Sequence, residues 1–179
     1  MPYRFLTALL VALLTLPTLA QGEIDGLTVL GKGKPLTDKQ SDSTLVLRGL
    51  VSMKSELFVS MTIQQYNKEV RFYMDRATWD ELKQTLIKTR DQWEQLAPRE
   101  FASKGRIKGY RIEDSQSTLG ISIQGATKLD TRRLKFSLVS DTDKPQRVFV
   151  SLTEVQVEKL VEQLYKVDEF LRNHQNRTS

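Results

Sequence analysis

The chain contains no cysteine and only one histidine, His174. The missing cysteine excludes disulfides, thiolate metal sites, a cysteine nucleophile and a lipoprotein anchor. The single histidine leaves no two-histidine metal site and no imidazole beside a serine–aspartate pair. His174 follows the last apolar helix position and reads as an exposed tail residue. Long apolar runs are absent too, with one exception at the start.

That exception reads as an export signal. Arg4 is the only charge among the first twenty residues and precedes an apolar run from Phe5 to Leu16. Pro17 breaks the run, and Thr18-Leu19-Ala20 supplies small residues for cleavage. A positive start, an apolar stretch of roughly 7–15 residues and a small-residue site describe a secretory signal. A membrane span needs about 20 apolar residues, so no transmembrane segment is expected in the mature chain. Removing Arg4 lowers the formal charge from +5 to +4. A cysteine-free exported domain of this size fits a bacterial periplasm or the medium better than a disulfide-dense secretory pathway.

What is present is a repeated pattern. Apolar residues recur at helical spacing at Trp79, Leu82, Leu86, Trp93 and Leu96, and again at Val157, Leu160, Val161, Leu164 and Leu171. A shift of 78 positions lays Trp79 on Val157, Leu82 on Leu160 and Leu86 on Leu164. Before the first helix, Val70, Phe72 and Met74 alternate with polar residues, the period of a half-buried strand. The same shift brings them onto Val148, Val150 and Leu152. Leu57, Val59 and Met61 meet Leu134, Phe136 and Leu138 at a shift of 77, and Leu45 and Leu47 meet Leu119 and Ile121 at 74. The offset changes only between strands, where an insertion lengthens a turn without flipping an apolar face.

The expected fold is therefore α+β: two tandem meander-plus-helix repeats, βββα or ββββα, packed with pseudo-two-fold symmetry. A fourth, weaker strand is expected around Leu27–Leu30 and around Arg106–Ile112. Asp75 and Thr153 stand where helix caps belong, and Thr153 with Gln156 has capping-box spacing. The boundaries are a signal peptide over 1–20, a flexible arm over 21–42 and a first repeat over 43–97. A basic linker with a possible strand follows over 98–116, then a second repeat over 117–173 and a disordered tail over 174–179. This order of elements resembles the PUR and Whirly groups, which bind single-stranded nucleic acid on curved sheets. The resemblance covers element order alone, and no motif of either group stands in the chain.

Searches for catalytic groupings give bland readings. Gly31-Lys32-Gly33-Lys34 lacks the spacing and terminal Lys-Ser/Thr of a phosphate-binding loop and reads as a flexible basic loop. Asp80-Glu81, Glu158-Glu162 and Asp168-Glu169 read as solvated helix faces, and Asp141-Thr142-Asp143 as a turn. No catalytic residue, cofactor or metal is expected.

Charge is the remaining signal. Lys104, Arg106, Lys108 and Arg111 cluster with Tyr110 between the repeats, and Arg132, Arg133 and Lys135 form a second group. Basic residues interleaved with aromatics can follow a polyanion. Tyr66, Tyr73 and Phe149 fall on the polar side of their strands and mark a candidate partner surface on the sheets or in the groove between repeats. The expectation is an exported, non-enzymatic binding or accessory protein that engages another envelope or extracellular protein. The alternative is a binder of an anionic polymer: nucleic acid, acidic glycan or phospholipid headgroups. A homodimer is compatible with either, because half-exposed sheets leave free edges.

Overall fold

Alternation turns one set of apolar side chains of each long strand to a common face, and the two resulting faces meet in one core. The computed structural model describes residues 23–95, 106–112, 116–125 and 132–178. Its strands are β1 (Glu23–Ile24), β2 (Leu27–Lys32), β3 (Leu36–Asp38), β4 (Ser43–Val51), β5 (Leu57–Gln65), β6 (Lys68–Met74), β7 (Arg106–Lys108), β8 (Ser117–Gln124), β9 (Arg133–Ser140) and β10 (Arg147–Leu152). Helix α1 (Arg76–Asp91) follows β6, and α2 (Glu154–Thr178) follows β10. The described chain is α+β, with two antiparallel sheets and two helices. One sheet runs β1-β2-β4-β5-β6, with β3 paired to β4, and the other runs β10-β9-β8-β7.

The chain thus passes twice through three antiparallel strands and a helix, each time with an earlier strand (β2 or β7) beside the first of the three. Leu47, Met61 and Phe72 from the first sheet, Leu119, Phe136 and Val150 from the second, and Trp79 and Leu164 from the helices share one buried cluster. Burying a large apolar side chain stabilises by roughly 1.5–3 kcal/mol, so this cluster holds the sheets and helices together.

Both helix starts are capped as their residues predict. Asp75 Oδ1 accepts from Thr78 N at 2.8 Å. At α2, Thr153 N donates to Gln156 Oε1 and Gln156 N to Thr153 Oγ1, at 3.0 and 3.3 Å, a reciprocal capping box.

Several expectations are corrected. The segment expected as a flexible arm carries β1, β2 and β3, because β2 and β3 add to β4 and β2 packs beneath α2. Gly31 and Lys32 belong to β2 rather than to a flexible basic loop, and a Cβ at Gly31 would lie 2.4 Å from the Phe170 ring. Lys34 N, just beyond, donates to Gln163 Oε1 at 2.7 Å. Helix α2 runs on to Thr178, so His174 is helical and not in a tail. Asp168 is not a solvated carboxylate. It accepts from Trp79 Nε1 at 2.8 Å and from Lys83 Nζ at 2.5 Å, clasping α2 to α1. Burial raises its pKa, but the Lys83 and Trp79 hydrogen bonds and the charges of Lys83 and Arg76 outweigh that and hold it below the ordinary aspartate value.

The open edge of β10 is met by side chains of the first half. Phe149 N donates to Gln65 Oε1 at 3.2 Å and Ser151 N to Asp38 Oδ2 at 3.2 Å. These bonds occupy edge donors that would otherwise invite another strand.

Candidate anion-binding face of the second sheet

Because Leu134, Phe136 and Leu138 point into the core, the residues between them point outward, and strand register fixes their neighbours. Lys108 pairs with Thr118, which pairs with Val139, which pairs with Arg147. In the next row Arg106, Gly120, Ser137 and Phe149 stand side by side. Ser122, Lys135 and Ser151 form a third row. Four cations, Arg106, Lys108, Lys135 and Arg147, therefore share one outward face with four hydroxyl-bearing residues. No described outward position of this sheet carries a carboxylate. None of the four cations takes part in an ion pair among the described residues. Arg106, Lys135 and Arg147 line a recess of about 400 Å³.

Phe149 also lies on this face, half-buried, with Lys135 Nζ 4.1 Å from the centre of its ring. That cation–π contact holds the ammonium toward the sheet and occupies the ring.

The expected basic residues scatter differently from their order in the chain. The structure brings Arg106, Lys108 and Lys135 together. Lys104 lies outside the described residues. Arg111 is exposed and donates to Gln116 Oε1 at 3.3 Å. Tyr110 leaves this sheet altogether: its ring sits 5.1 Å from that of Phe58 on the first sheet. Arg133 stands at the other end of β9, beside a separate recess with Asp38 and Lys39. Arg132, expected on the binding face, is instead buried and donates to the Trp93 carbonyl. Its position is two before Leu134, and strand parity turns it inward with the core residues. Arg147 and Gly120 were not singled out by sequence; both belong to the face only through cross-strand register.

The aromatic partner surface is also corrected. Tyr73 is buried with Leu27, Leu50, Phe58 and Ile112, a second small cluster on the outer side of the first sheet. Its hydroxyl donates to Asp25, which also pairs with Arg71 at 3.0 Å. Burial first, then the hydrogen bond to Asp25 and its charge, push the Tyr73 pKa above the ordinary tyrosine value. Tyr66 is exposed, but in the turn between β5 and β6 with φ of 53°, not on a strand face. The three aromatics form no common surface.

Among the described residues, no three His, Asp or Glu side chains gather closely enough to hold a metal ion. No described helix is long and apolar enough to cross a membrane. No protein-family model matches the chain, and no curated protein resembles it at a significant level.

Proposed function

We propose that this is an exported binding protein without chemistry of its own, and that it engages an anionic polymer through the outer face of the second sheet. One observation carries the reading: Arg106, Lys108, Lys135 and Arg147 converge on a hydroxyl-lined face that offers them no carboxylate. Like charges gathered without counter-charges repel one another and contribute nothing to folding. They concentrate a positive potential that attracts polyanions. The leader-like first twenty residues support an envelope or extracellular location. The matching order β4-β5-β6-α1 and β8-β9-β10-α2 supports descent from a duplicated unit with pseudo-two-fold symmetry. The absence of cysteine and the lone histidine support a binding role over catalysis.

A protein partner in the envelope, expected from the aromatics, loses its main support with Tyr73 buried. An acidic protein surface would still meet the same four cations. Lysine footprinting with an acylating reagent tests the reading, using dextran sulfate as the probe. Lys108 and Lys135 are expected to be protected, while Lys68, exposed at the start of β6, remains reactive. Equal labelling of all three with and without the polymer would overturn the proposal.

A further inference from the structure

Gly120 stands in the middle of β8, where a glycine weakens a strand. At Gly31 close packing explains the missing side chain; at Gly120 it does not. A Cβ at position 120 would meet nothing nearer than the Ser137 carbonyl at 3.9 Å, and the backbone is not in the left-handed region. Val46 occupies the corresponding place in β4 at the shift of 74 that aligns Leu45 with Leu119. The space left by the absent side chain lies within the recess that Arg106, Lys135 and Arg147 line.

We propose that this hollow receives one tetrahedral oxyanion ester, a phosphate or sulfate group. The inference rests on the anion-binding reading and deepens it. Ser122 and Ser137 also line the recess, so hydroxyl donors and three cations approach from several sides. A tetrahedral group presents three oxygens to such a cradle, whereas a planar carboxylate presents two. Base stacking does not contribute: Phe149 is the one aromatic among the described outward positions of this sheet, and Lys135 already covers its ring. A nucleobase would lack the stacking platform that single-strand binders use.

The test titrates the purified protein with glucose 6-phosphate, glucose 6-sulfate and glucuronate at equal ionic strength, following backbone amide shifts. Either ester is expected to move Gly120, Ser122 and Ser137, and glucuronate to leave them in place. The tighter of the two esters identifies the source. Gly120→Val is expected to weaken ester binding about tenfold or more while the melting temperature holds or rises, since valine suits a strand better. Gly120→Ala, whose methyl fits at ordinary contact distance, is expected to weaken it less while keeping the fold. Wild-type ester affinity in both folded variants, or glucuronate binding as tightly as the esters, would overturn the proposal. Dextran sulfate distinguishes the face from the hollow. If Arg106→Gln/Lys135→Gln/Arg147→Gln loses the polymer while both Gly120 variants keep wild-type affinity for polymer and esters, the anion-binding face stands and the hollow falls. If none of the variants loses it, both fall.

Discussion

The outer faces of the two sheets start from similar strands and end in opposite electrostatic states. On the first, Arg71 pairs with Asp25 at 3.0 Å and with Glu69 at 2.6 Å, and Arg48 donates to Thr62 Oγ1 at 2.7 Å. Ile112 and Leu27 pack over Tyr73 and Leu50, so much of that face is closed. On the second, cross-strand register sets Arg147 in the place that Glu69 takes on the first, Lys135 in the place of Ser60 and Ser151 in the place of Tyr73. The acid and the apolar cover are both gone there, and the cations remain. Charges that are paired and capped by apolar groups belong to the architecture. Charges of one sign left open on a recessed face are the ones available to a ligand.

The largest effect should come from giving the second face the acids it lacks. Lys135→Glu/Arg147→Glu is expected to reduce dextran sulfate affinity by about 100-fold or more near 0.1 M salt. Its melting temperature should stay within about 3 °C of wild type, because neither side chain is part of an ion pair. On the first face the consequences reverse. Tyr73→Phe leaves Asp25 without its hydroxyl donor and should cost about 1–2 kcal/mol in a denaturant titration, with polymer binding unchanged.

Alkaline pH sharpens the same contrast. The folded pKa of Tyr73 is raised above its unfolded value, so its contribution to stability is complete below about pH 10. It is lost progressively as pH rises from there toward the folded value. Tyrosine absorbance near 295 nm should show one group that ionises late in the folded protein, and Tyr73→Phe should remove it. The smallest effect is expected from Arg106→Gln, which should change stability by less than about 0.5 kcal/mol.

Much of this fold was legible because strand parity is a local property. Val70, Phe72 and Met74, and Val148, Val150 and Leu152, declare their buried face by alternation alone, and all six are buried. Asp75 and the Thr153–Gln156 pair likewise act within one helical turn. The fate of the opposite face was not legible. Alternation puts Tyr73 across from Phe72, but the cover that buries it comes from Leu27 and Ile112, each dozens of residues away. The candidate site misled for the same reason. Arg132, Arg133 and Lys135 are neighbours in the chain, yet parity and register send one inward and another to a separate recess. Arg147 joins Lys108 across the sheet through Val139 and Thr118, a relation that only register reveals.

If the four cations of the second sheet hold a polyanion by charge, the affinity must fall steeply with salt. Affinity for dextran sulfate would be measured across a salt series for the wild type and for Arg106→Gln/Lys108→Gln/Lys135→Gln/Arg147→Gln. Each neutralised contact contributes a slope of about −0.7 to −0.9 in log affinity against log salt. The wild-type slope is expected to be steeper by about three than that of the variant. Equal slopes for the two proteins would contradict it.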